Sequence, residues 1–123
     1  MSHVVEIQTQ VKDAAAVRAA CQRLKLEQPS RGTAKLFSGE ATGLIVKLPD
    51  WKYPVVFNTR SGEARFDNYG GTWGDQKQLD RFLQIYAVEV TKVQAHKRGH
   101  TLTEQELADG SIKLTIQVNG GAA

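Results

Sequence analysis

The feature that most constrains this chain is a stripe in its second half. After Asp75, apolar residues fall at Leu79, Phe82, Leu83, Tyr86, Val90 and Val93. Steps of 3, 1, 3, 4 and 3 keep them on one face of an α-helix. The spacing predicts a helix over residues 76–98, about six turns long. Asp75, with Gln78 three residues on, resembles a capping box. Lys97 and Arg98 suit the negative end of the helix dipole, and Gly99 stands at the expected C′ position. A helix with one long apolar face must bury it, so the remaining segments have to supply an apolar partner surface.

They do so mainly as strands. Residues 3–11 alternate, with His3, Val5, Ile7, Thr9 and Val11 on one side. Asp13 is an N-cap for a first helix running to about Leu24, with Val17, Ala20 and Cys21 on its apolar side. Pro29, Ser30 and Gly32 mark a loop. Residues 33–37 form a short strand, Ser38-Gly39 a turn, and residues 41–48 a stronger strand with Leu44, Val46 and Leu48 on one face. Pro49-Asp50 ends that strand. Val55, Val56 and Phe57 begin another, joined through Ser61-Gly62 to a partner around Ala64, Arg65 and Phe66. Asp109-Gly110 is a strong hairpin signal, and Ile112, Leu114, Ile116 and Val118 alternate cleanly after it. The pattern predicts an α+β fold: a two-layer sandwich with a mostly antiparallel sheet of about five or six strands and two helices on one face. Residues 1–118 read as a single domain and residues 119–123 as a mobile tail.

Several function classes find little footing. The 123 residues carry 41% hydrophobic and 24% charged side chains, as an ordinary globular domain does. Cys21 is the only cysteine, so an internal disulfide is excluded and a reducing cytoplasm is the expected location. No apolar run approaches the roughly 18 residues of a membrane helix, and residues 1–10 lack the basic-then-apolar order of a signal peptide. The net charge of +3 permits acidic partners without demanding them.

Motifs narrow the field further. The loop DNYGGTWGD, residues 67–75, sits where glycine-rich loops hold phosphate, but no Gly-Lys-Ser/Thr follows and Asp75 competes for the free N–H groups. It reads as a helix entry. His96 and His100 have a zinc-like spacing that Gly99 interrupts, so no metal or other cofactor is expected. Cys21 reads as a core residue and not a nucleophile. Glu104, Glu106 and Asp109 read as solvated hairpin charges, and no catalytic residue is identified. Gly120-Gly121 invites comparison with ubiquitin-like modifiers, yet two alanines follow and no initial hairpin precedes the first helix.

Two surfaces remain. Trp51, Tyr53, Tyr69 and Trp73 fall outside the core patterns and form a candidate partner-binding set, since aromatic residues anchor interfaces. Alternatively, Lys47, Lys52, Arg60 and Arg65, interleaved with Trp51, Tyr53 and Phe57, could line a sheet face that stacks bases and neutralises phosphates. Glu40, Asp50, Glu63 and Asp67 dilute that patch.

Three segments together resemble one family. They are Met1-Ser2-His3 with Ile7-Gln8-Thr9-Gln10 and Asp13; Asn68-Tyr69-Gly70 with Phe82-Leu83-Gln84-Ile85-Tyr86-Ala87; and residues 109–117, DGSIKLTIQ. In this order they resemble the uncharacterised conserved proteins of red-algal plastids, cyanobacteria and other bacteria, which have phage-borne relatives. Residues 26–53 depart from the arginine- and tyrosine-containing segment such relatives carry. The resemblance implies no catalytic residue. Family members are often encoded near AAA+ ATPases, which implies a small non-enzymatic accessory or adaptor protein with such a partner.

Overall fold

The two helices begin at the two aspartates that the sequence marks. The computed structural model describes residues 4–118. Helix α1 spans Ala14–Arg23 and helix α2 spans Gln76–Lys97. Asp13 Oδ1 accepts from Ala16 N–H at 3.1 Å, satisfying one of the unpaired first-turn donors. Asp75 Oδ1 accepts from Lys77 N–H at 2.9 Å, one residue before the Gln78 of the expected capping box. At the far end of α2, His100 N–H reaches Ala95 O and Gly99 N–H reaches His96 O, the paired bonds of a Schellman cap.

Five strands form one sheet: β1 (Val5–Gln8), β2 (Ser30–Leu36), β3 (Gly39–Val46), β4 (Val55–Asn58) and β5 (Glu63–Phe66). Their order is β1-β5-β4-β3-β2, and every pairing is antiparallel. The start of β1 at residue 3 and the tail at residues 119–123 lie outside the described residues. Strand β2 begins at Ser30, inside the expected loop. Its ladder with β3 sets Gly32 opposite Gly43, so backbone pairing holds a segment whose side chains signal a turn. The turn between β2 and β3 is Phe37-Ser38, because Leu36 and Gly39 are the last pair. Between β4 and β5 the loop covers residues 59–62 and is longer than the expected Ser61-Gly62 pair. Asn58 organises it, accepting from Gly62 N–H on its carbonyl and from Arg60 N–H on its side chain.

The helices cover one face of this sheet. Leu44, Val46, Val55, Phe57, Ala64 and Phe66 meet Val17, Ala20 and Cys21 of α1 and Leu79, Phe82 and Tyr86 of α2 in one buried cluster. The Phe57 and Phe82 rings stack with centroids 5.7 Å apart. Phe57 therefore points into the core and does not belong to an outer aromatic face. Tyr86 reaches the entrance to α1: its hydroxyl accepts from Lys12 and Asp13 N–H and donates to Gln10 O. On the opposite face of the sheet, Leu36, Ala41 and Val56 are buried together, flanked by Val4, Ala34, Ile45 and Tyr53. The β2–β3 hairpin curls over its own sheet to make this cluster. Gly43 permits the approach, since a Cβ there would lie 2.3 Å from Phe57 O.

The C-terminal strands β6 (Thr101–Glu106) and β7 (Ile112–Gln117) do not join the sheet. They form a separate antiparallel hairpin against α2. Leu102, Glu104, Ile112 and Leu114 are the half-buried side of this hairpin. Its presence explains why Ile85, Val88 and Ala95 are buried although they fall outside the predicted stripe: α2 is covered on more than one side. Among the described residues no helix is long and apolar enough to cross a membrane.

Candidate interaction site

Three loops converge at one end of the molecule. Residues 67–75 connect β5 to α2, residues 47–54 connect β3 to β4, and Phe37-Ser38 turns between β2 and β3. The first loop is built around Asn68, which is 6% exposed. Its carbonyl accepts from Gly71 N–H and Trp73 N–H, both at 2.9 Å, which closes the single 3-10 turn Tyr69–Gly71. Lys52 N–H donates to Trp73 O at 2.8 Å and ties the second loop to the first.

Trp73 is the hub of the resulting surface. Tyr69 stacks on its ring with centroids 4.7 Å apart. Tyr53 meets it edge-on at 5.6 Å, and Phe37 lies tilted at 5.1 Å. The Lys52 ammonium sits over the same indole, 4.7 Å from its centre. Each aromatic pair contributes about 0.5–1.5 kcal/mol beyond area burial, and an exposed cation–π contact about 0.5–1 kcal/mol. Those gains hold Tyr69 at φ 45°, a left-handed conformation that is rare for a bulky residue and costs about 1–3 kcal/mol. The outer members stay accessible: Phe37 is 50% exposed and Tyr69 is 46% exposed.

The fourth aromatic of the sequence-predicted set goes elsewhere. Trp51 packs against the main core, its ring edge-on to Phe66 at 5.7 Å. Its Nε1–H donates to Asp75 O at 3.1 Å. The indole lies flat against Gly74, where a Cβ would fall 2.3 Å from a ring carbon. Trp51 is thus a fastener for the start of α2 and not part of the exposed surface. Phe37 takes its place in the cluster. Sequence reasoning placed Phe37 at a strand end, although an aromatic residue beside Ser-Gly in a hairpin turn has no core to enter.

The four basic residues do not converge. Lys47 is paired with Glu27 at 3.5 Å beyond the end of β3. Arg60 stands in the β4–β5 loop at the other end of β4. Arg65 is held between Glu6 at 3.2 Å and Glu63 at 3.0 Å. Only Lys52 joins the aromatic group.

Elsewhere the titratable groups are tied into structure. Glu104 accepts from Arg23 Nη1 and Nη2, at 3.1 and 2.6 Å, and lies 2.6 Å from Lys92 Nζ. Glu89 also meets Arg23 and Lys92. The Arg23 and Lys92 hydrogen bonds pull the Glu104 carboxyl down from 4.5 to about 2. Glu104 is accordingly a docking residue of the hairpin, not the solvated charge expected. Burial pushes the Cys21 thiol up from 9.0 to about 11, which keeps it unreactive. Among the described residues no group of three His, Cys, Asp or Glu side chains is arranged to hold a metal ion. Asp67, at the root of the aromatic loop, is fully buried and neither carboxylate oxygen has a hydrogen-bond partner.

Comparison of the chain with protein-family models, with curated proteins and with solved structures finds no match.

Proposed function

We propose that this chain is a non-enzymatic accessory or adaptor protein of the cytoplasm that binds a protein partner through the aromatic cluster centred on Trp73. The observation that supports this reading most is the exposure of Phe37 and Tyr69 around an immobilised indole. Pre-positioned aromatic side chains lose little conformational freedom on binding, which is why they serve as anchors in interfaces. The likeness of residues 7–10, 68–70, 82–87 and 109–117 to the plastid and cyanobacterial family points to an AAA+ ATPase as the partner.

Nucleic-acid binding through Lys47, Lys52, Arg60 and Arg65 has less support. Lys47 and Arg65 already face carboxylates, and the Trp73 ring already carries Tyr69 and Lys52. The test is affinity capture from the native host with the wild-type chain and with Phe37→Ser/Tyr69→Ser. An ATPase retained by the wild type and absent with the variant supports the reading. Equal retention by both, or recovery of RNA whose binding collapses with added salt, overturns it.

A further inference from the structure

The C-terminal hairpin is attached unlike any other part of the fold. Strands β6 and β7 pair with each other and with no strand of the sheet. Among the described residues, the backbone hydrogen bonds of residues 101–118 all run within the hairpin. No side chain of either strand is fully buried, whereas β3, β4 and β5 all contribute buried ones. A two-stranded hairpin is marginal by itself in water, so this one owes its order to what it rests on. Its covalent joint to α2 is Gly99-His100. There Gly99 has φ 72°, and a Cβ would meet nothing within 4 Å.

The hairpin rests on a second stripe of α2. Arg81, Gln84, Ile85, Val88, Lys92 and Ala95 repeat the steps of the first stripe, 3, 1, 3, 4 and 3, two residues further along. At 3.6 residues per turn that shift is about 200°, so the second stripe lies on the side of α2 away from the first. Its apolar members, Ile85, Val88 and Ala95, are buried. Its polar members hold the hairpin. Lys92 Nζ lies 2.6 Å from Glu104, Gln84 Nε2–H donates to Gly110 O at 2.9 Å, and Arg81 Nη2 lies 3.8 Å from Glu106. Arg23 of α1 adds its two bonds to Glu104. Every one of these ties is made through a side chain, so all of them can break without opening a backbone ladder or a helix. We propose that the hairpin is a hinged cover. It lifts from α2 as one cooperative unit, turning about Gly99-His100, while the sheet and both helices stay folded. The closed form prevails, and the minority open form exposes the second stripe of α2.

Native-state hydrogen exchange on the full chain tests this. In the wild type the ladder amides of β6 and β7 should be protected roughly tenfold or more weakly than those of β3 and β4. Their exchange should also respond less to added urea, because lifting the hairpin exposes less surface than unfolding the chain. Two variants separate a hinged cover from simple global unfolding. Glu104→Gln weakens the closed form and should speed the hairpin amides by roughly tenfold. Val46→Ala removes methyl groups from the cluster between sheet and helices, which the open form retains. It should speed the β3 and β4 amides by roughly tenfold and leave the hairpin amides at their wild-type rates. Hairpin amides that match the sheet amides in protection and urea response overturn the proposal. So do hairpin amides that accelerate in Val46→Ala as much as the sheet does, and so do hairpin amides unchanged by Glu104→Gln. Should Val46→Ala fail to fold, the wild-type urea series decides alone.

Discussion

At the scale of single residues, two positions carry opposite lessons. Gly74 is occupied space: the Trp51 indole lies where its side chain would be. Gly74→Ala should lower stability by about 1–3 kcal/mol, measured by urea denaturation, because ring and loop must separate. Asp67 shows the reverse, a buried carboxylate with no hydrogen bond. Asp67→Ala, which removes both unpaired oxygens, should raise stability in urea denaturation by roughly 1 kcal/mol or more. A variant less stable than wild type would contradict this. Neither role was legible in the sequence. Trp51 and Trp73 look alike there, as aromatics in loops outside the core patterns. What separates them is which ring meets Gly74, and that depends on how two loops distant in sequence are brought together.

At the scale of elements, local signals translated well where local chemistry decides. Asp13, Asp75 and Gly99 bound the helices as expected, because capping is settled within one turn. Strand ends were less legible. The ladder with β3 extends β2 back to Ser30 through residues whose composition marks a loop. The C-terminal hairpin was recognised as a hairpin, but its docking on the helices was not, since nothing local reports that Glu104 will meet Arg23 and Lys92. That docking has a pH signature. Glu104 titrates at about 2 in the folded chain against an ordinary 4.5. The unfolded chain therefore binds the proton more readily, and the stabilisation is present above about pH 4.5 and lost as pH falls toward 2. The side chain is 26% exposed, so solvent screening limits the contribution to about 1–2 kcal/mol. Glu104→Gln should be less stable than wild type by that amount at pH 7 and indistinguishable near pH 2, in urea midpoints measured across the range. A pH-independent difference would assign the loss to packing.

At the scale of the whole molecule, the architecture follows from burying amphipathic elements. The α2 stripe needs an apolar sheet face, and the alternation in β3, β4 and β5 provides one. The candidate site follows only partly. Tyr53, Tyr69 and Trp73 were recognised because they lie outside the core periodicities, and they do converge. Phe37 joins them from the β2–β3 turn, a contact between distant segments that no single one announces. The basic residues share a composition but not a place. Calorimetric titration with an AAA+ ATPase from the native host tests the proposed protein-binding role of the aromatic surface most directly. The wild type should bind with an affinity that changes little with salt, and Phe37→Ser/Tyr69→Ser, folded by circular dichroism, should bind roughly tenfold or more weakly. Equal affinity for both proteins, or no binding by the wild type, would contradict it.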